Sequence, residues 1–284
     1  MVDRSKKIPS FIRTASVFAL GSILFVSGCS DPSEKSESGE NSAEKTAEVT
    51  DSRLLSVSEA GKLKVCTTGD YRPFTYLDPK SGKWSGIDID MAKNLAKSLE
   101  VEPEFIQTTW KDLMPDFTSK CDIAVGGVSI SLERSKQAYF SEATLDEGKT
   151  PITLCENVDK YDTIKEINLP GVRSITPIGG TNEKFADANY PKGKIIRFED
   201  NNKIFDEIIA GRADVMTTDA SETRWVAHEH PELCAVHPDK PFNFSQKAYL
   251  LPLGDDEFQE YVDQWLNMAK NDGTLAAAEK PWFG

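Results

Sequence analysis

Short strands alternate with helices twice over in this chain, and that repeated alternation restricts the fold more than any other feature. In the first pass Leu63 to Thr67 reads as a strand, broken by Gly69-Asp70. Ile87, Met91, Leu95 and Leu99, with Ala92 and Ala96, then fall on one face of a helix. Val101 to Gln107 is a second strand, Trp110, Leu113, Met114 and Phe117 mark a second helix, and Asp122 to Gly126 is a third strand. The second pass places strands at Ser174 to Pro177, Ile195 to Phe198 and Ala213 to Thr217, with helices at Glu183 to Asn189 and Lys203 to Ala210 between them. A last helix, Asp256 to Lys270, buries Phe258, Tyr261, Val262, Trp265 and Leu266 and stops at Gly273. Helices between short strands imply parallel βαβ units, so the predicted class is α/β with two similar lobes. A chain of 284 residues is long enough for two cores. We expect lobe one to hold 53–148 and 248–284, lobe two to hold 149–247, and two crossovers to join them. Ligands of such sheets bind beyond the carboxyl ends of the strands, and here those ends face each other across a cleft.

The beginning of the chain belongs to neither lobe. Arg4, Lys6, Lys7 and Arg13 form a basic stretch, followed by a mostly apolar run from Val17 to Val26 that is too short for a mature membrane span. Val26-Ser27-Gly28-Cys29 resembles the lipobox of bacterial lipoproteins, which implies removal of residues 1–28 and acylation of Cys29. The chain is therefore expected to be exported and anchored by lipid, facing the periplasm or the cell exterior. Residues 29–52 read as a disordered acidic linker: Ser30 to Ser52 carries seven acids against two bases and no aromatic residue. The whole chain has a net charge of −13, which argues against nucleic acid and against docking on anionic lipid.

Besides Cys29 there are four cysteines, an even number that permits disulfides in an exported protein without fixing their pairing. His228, His230, Cys234 and His237 are no metal site on this reading, because no zinc-ligand spacing recurs elsewhere.

The run Gly179-Gly180-Thr181-Asn182-Glu183-Lys184-Phe185 lies between a strand and a helix, a junction whose free backbone N–H groups suit an anion. A carboxylate there repels such a ligand unless it is protonated. Glu183 therefore makes sense as a proton donor.

Thr67-Thr68-Gly69-Asp70-Tyr71-Arg72-Pro73-Phe74, then Gly86-Ile87-Asp88-Ile89-Asp90-Met91-Ala92, and Ser129-Ile130-Ser131-Leu132-Glu133-Arg134 with Tyr139-Phe140-Ser141 resemble the amino-acid type of bacterial extracellular solute-binding proteins. The resemblance implies a two-lobed type II periplasmic-binding-protein fold from Arg53 to Gly284. It implies that Arg134 grips a ligand carboxylate, whose planar shape a guanidinium fork matches. It also implies that Ser129 and Thr181 add donors, that Asp219 receives an ammonium, and that Tyr71 and Trp110 wall the pocket. Without the resemblance, Asp219 reads as the cap of the next helix.

Within that superfamily, Gly148-Lys149-Thr150-Pro151-Ile152-Thr153-Leu154-Cys155, Gly179 to Ala186, His230 to Pro238 and Lys247 to Pro252 are similar to the periplasmic cyclohexadienyl dehydratases. That resemblance implies conversion of prephenate to phenylpyruvate and of arogenate to phenylalanine, with loss of water and carbon dioxide. Glu183 would be the general acid, Lys149 a partner for the ring carboxylate, and Cys155–Cys234 a disulfide; Cys66 and Cys121 lie at neighbouring strands of lobe one. Aromatisation drives the reaction, so neither metal nor organic cofactor is expected. The other reading is an amino-acid-binding lipoprotein serving a transporter permease, with Glu183 touching a polar or cationic side chain.

Overall fold

The computed structural model describes residues 52–283; the leader, Cys29 and nearly all of the linker lie outside them. Two five-stranded sheets form the frame, each with a three-strand parallel part whose first strand lies in the middle. In the first sheet Lys62–Thr67 lies between Glu102–Gln107 and Ile123–Ala124 and runs parallel to both. In the second, Arg173–Pro177 lies between Lys194–Phe198 and Val215–Asp219, again parallel to both. The Asp122 and Asp214 segments thus lead into strands of different sheets.

The amphipathic helices cover these sheets for the reason the sequence suggests. Ile87–Ser98 buries Ile87, Met91, Leu95 and Ala96, and Asp256–Asn271 buries Phe258, Val262, Trp265 and Leu266 in the same core. In the second lobe Ile204 and Ile208 pack with Ile152, Ile175 and Met216. The expected Asp122–Gly126 strand is shortened to Ile123–Ala124. The chain turns at Gly126 and Gly127, both at positive φ, and hands their N–H groups to the buried carboxylate of Asp88 instead of to a neighbouring strand.

Each sheet is completed by antiparallel strands that the alternation did not reveal. Leu250–Pro252 runs beside Ile123–Ala124, and Lys149–Leu154 runs beside Val215–Asp219. The segments feeding these two strands pair with each other as a ribbon, Leu145–Glu147 against Ser245–Lys247. That ribbon is where the chain passes between the sheets. The helix expected after Asp219 is Ala220–Glu229, and helix Thr274–Phe283 is additional to the sequence reading.

Among the described residues there are two disulfides. Cys155–Cys234 joins the Lys149–Leu154 and Leu233–Ala235 region with Cα atoms 4.8 Å apart, and Cys66–Cys121 has a Cα separation of 5.7 Å.

Candidate active site

Asp219 ends the Val215–Asp219 strand at its carboxyl edge, where the two sheets face each other. Its carboxylate meets Lys149 Nζ at 2.8 Å and Lys247 Nζ at 2.5 Å. Tyr71, from the opposite lobe, donates its hydroxyl to the same carboxylate at 2.5 Å. The lysine side chains are 3% and 1% exposed and that of Asp219 is 2% exposed. Burial alone would raise the Asp219 pKa, but the two ammonium groups outweigh it and hold the carboxyl well below its usual range.

Backbone register sets this cluster. Lys149 is directly opposite Asp219 in the antiparallel pairing, and Lys247 bridges to Ser129. Lys247 Nζ donates to Ser129 Oγ at 2.9 Å, and Lys149 Nζ donates to Thr181 Oγ1 at 3.0 Å and also to Asn182 Oδ1. The two hydroxyls lie 3.5 Å apart across the cleft. Burial lowers the Lys149 pKa more than its neighbours raise it. Burial pushes Lys247 the same way, but Asp219 and Glu147 reverse the result and raise it. Glu147 lies 3.5 Å behind Lys247.

Arg134 is buried on the lobe-one side, with Nη1 donating to its own loop at Ser129 O, 2.8 Å away. This bond fixes one arm of the guanidinium and the loop that carries Ser129. Burial lowers the Arg134 pKa, opposed by Glu133 and Asp219. Trp110 packs edge-on against Tyr71 with ring centroids 5.3 Å apart. The pocket bounded by these rings, Ser129, Thr181 and Lys247 encloses only about 10 Å³. A space of that size takes one water at most, so a substrate enters only when the lobes part. A larger cavity of about 600 Å³, lined by Trp110, Asp70 and Asn201 among others, opens at the cleft mouth.

Several expectations need correction. Asp219 meets two lysines before any ligand does: Oδ2 accepts from Lys247 and Tyr71, while Oδ1 lies beside Lys149 Nζ as an ion pair without a hydrogen-bond partner among the described residues, so an ammonium would share the carboxylate with these cations. Its side chain does not cap the following helix; Glu147 reaches the Ser221 N–H instead, at 2.9 Å. Lys149 faces Asp219 as a counter-ion, so a ring carboxylate would have to share it.

Glu183 departs furthest from the sequence reading. Its Oε2 accepts from the Gly179 N–H at 2.6 Å, so one donor expected for the ligand is occupied by the residue itself. Its Oε1 meets Arg197 Nε at 2.5 Å. Burial would raise its pKa, but the Gly179 N–H and Arg197 prevail and hold it below the usual value. The Gly179 N–H and Arg197, both from its own lobe, therefore favour the ionised form of Glu183. The loop itself is tightly specified. A Cβ at Gly179 would lie 2.6 Å from the Lys111 backbone of the other lobe, and its φ of 90° favours glycine as well.

Three buried groups escaped the sequence reading. Lys247 and Glu147 sit on the crossover ribbon. Glu222 is buried behind Thr218, whose hydroxyl donates to it at 2.5 Å. Burial pushes the Glu222 pKa up to about 8. Among the described residues the Asn182 amide links that pair toward the cleft, donating to Thr218 at 2.9 Å, so Glu222 supports Asn182 through Thr218. One signal in the sequence was available for Lys247. Like Lys149, it immediately precedes an apolar strand segment, an unusual position for a lysine unless it is paired.

Residues 63–284 match the bacterial extracellular solute-binding proteins, family 3. The chain belongs to that family. Among its members, the cyclohexadienyl dehydratase of Pseudomonas aeruginosa is 50% identical over 234 residues, covering 82% of this chain and 87% of that one. The crystal structure of an ancestral cyclohexadienyl dehydratase is 49% identical, covers 82% and 96% of the two chains, and gives a TM-score of 0.52. That of an ancestral amino acid-binding protein, a precursor of cyclohexadienyl dehydratase, is 35% identical, covers 81% and 99%, and gives a TM-score of 0.75. The fold is thus the solute-binding type II fold, and membership of an extracellular family implies export.

Proposed function

We propose that this protein is a cyclohexadienyl dehydratase, converting prephenate to phenylpyruvate and/or arogenate to phenylalanine with loss of the ring hydroxyl and ring carboxylate. The 50% identity to the Pseudomonas aeruginosa enzyme, over most of both chains, carries the reading. The cleft chemistry supports it: three buried cations, Lys149, Lys247 and Arg134, suit a ligand with two carboxylates. Arg134 takes the side-chain carboxylate with its free guanidinium edge, Ser129 and Thr181 add hydroxyl donors, and Tyr71 and Trp110 enclose the ring.

Hydroxide leaves poorly, so a positioned acid contributes roughly 100- to 10,000-fold. Glu183 is the proposed acid. Because Arg197 holds it ionised in the closed form, the role requires the negative charges of the substrate to raise its pKa or to draw it from Arg197. The lobes are proposed as 53–148 with 248–284, and 149–247. Anchoring through a lipid on Cys29 is proposed from the lipobox-like sequence alone. If the protein were instead a receptor for an amino acid, its partner would be a permease.

Protein lacking residues 1–29, incubated with prephenate, should yield phenylpyruvate, followed by its ultraviolet absorbance. Tight binding of an amino acid with no turnover would favour the receptor.

A further inference from the structure

A ligand enters only when the lobes part, so the contacts that hold them together govern how readily the cleft closes. One such group lies beside Tyr71 in the chain, and another beside Arg134. We infer that Arg72, gripped between Tyr76 of its own lobe and Trp225 of the other, is the latch that holds the closed form. The inference goes beyond the proposed function, since it applies whether the cleft turns its ligand over or only binds it.

Three consecutive residues of lobe one meet lobe two. The Asp70 carbonyl accepts from Asn201 Nδ2 at 2.9 Å, the Tyr71 hydroxyl donates to Asp219 at 2.5 Å, and Arg72 Nη1 donates to Asn202 Oδ1 at 3.0 Å. The Arg72 guanidinium also lies over the Tyr76 ring, 3.3 Å from its centroid, and 5.3 Å from the ring centroid of Trp225. A guanidinium within about 6 Å of an aromatic face is attracted to it, so Arg72 holds both lobes at once. The Trp225 ring is in turn 6.3 Å from that of Trp282, in the C-terminal helix Thr274–Phe283. Trp225 of lobe two is thus held by two groups of lobe one. Burial lowers the Arg72 pKa; among the groups that oppose this is Glu229 of lobe two, which adds to the pull across the cleft.

The contact beside Arg134 is of another kind. Lys184 of lobe two meets Glu133 of lobe one, but these side chains are 60% and 67% exposed. Water and salt screen such a pair, and it contributes little. Arg72 is half-buried and brings a planar donor and a stacking surface together, so it carries more of the closed form. It lines neither the closed pocket nor the cavity at the cleft mouth. Arg72 is therefore a positioning residue that acts on a ligand through closure.

The test uses protein lacking residues 1–29 and compares wild type with Arg72→Met, which keeps an apolar stem and removes the charge and the donor. Without ligand, small-angle X-ray scattering should give the variant a larger radius of gyration, with the closed-to-open ratio lowered about tenfold, the scale of a cation–π contact and a hydrogen bond together. With prephenate, KM should rise about tenfold while kcat changes less than about twofold, because the closed complex keeps every ligand contact. Trp225→Leu should show the same pattern, and adding it to Arg72→Met should cost less than it does alone, as for partners in one contact. Lys184→Met should matter less than Arg72→Met. Unchanged scattering and KM in Arg72→Met, additive losses in the double variant, or a larger effect of Lys184→Met would each overturn the inference. Should Arg72→Met not fold, Trp225→Leu against Lys184→Met decides by the same readouts. A wild type that turns over no prephenate removes the dehydratase reading, and the scattering comparison then decides the latch by itself.

Discussion

Two carboxylates in this cleft are each held by cations, yet the floor and the rim hold them differently. At the floor Asp219 is wholly buried between Lys149 and Lys247, whose positions are set by strand pairing. At the rim Glu183 meets Arg197, whose side chain is 45% exposed and also reaches Asp187. Removing one member of a buried pair leaves a charge without water or partner, whereas an exposed pair is screened and replaceable. The Asp219 pair is therefore the more rigidly held of the two, and the Glu183–Arg197 pair is the more easily rearranged. On the proposed function, binding falls to the floor and proton transfer to the Glu183 pair.

The sharpest way to test that division is Glu183→Gln. Gln keeps the size of Glu and can hydrogen bond, but it delivers no proton, so kcat for prephenate should fall roughly 100- to 10,000-fold with KM little changed. A loss below about tenfold removes Glu183 from the acid role.

Lys247→Met probes the floor. It strips Asp219 of one counter-ion and Ser129 of its donor, so unfolding free energy should drop by about 3–5 kcal/mol, read from denaturant midpoints. A drop under about 1 kcal/mol would show that the floor behaves like an exposed pair and that the contrast is false.

Arg197→Leu should have the smallest effect, on the pH profile. Arg197 contributes to the depressed Glu183 pKa. A general acid works while protonated, so activity declines as pH rises through its pKa. Removing Arg197 raises that pKa, and the decline should move to higher pH with more activity retained at neutral pH. An unmoved profile would leave the Glu183–Arg197 pair a structural contact only.

Much of the frame was legible in the chain. The parallel strands at 62–67, 102–107, 173–177 and 194–198 and the helices at 87–98 and 256–271 emerge where periodicity places them, because each buries one apolar stripe or run and local sequence dictates which. Tyr71, Trp110, Ser129, Arg134, Lys149, Thr181 and Asp219 were singled out, and all border the closing cleft or its ion cluster. Their partnerships were not legible. Asp219 pairs with lysines 70 positions before it and 28 after it, and Glu183 with an arginine on the strand that follows its own helix.

What the sequence determined by itself is the set of parts: two βαβ lobes, the glycines that let a loop touch the opposite backbone, and the charged residues set beside apolar strands. What only the tertiary structure decided is their protonation and pairing. The crossover ribbon brings Glu147 and Lys247 to Asp219, the antiparallel pairing of Lys149–Leu154 brings Lys149, and the strand after the Gly179 helix brings Arg197 to Glu183. Burial and Coulomb interaction depend on distances through space, and neither is written in the order of residues along the chain.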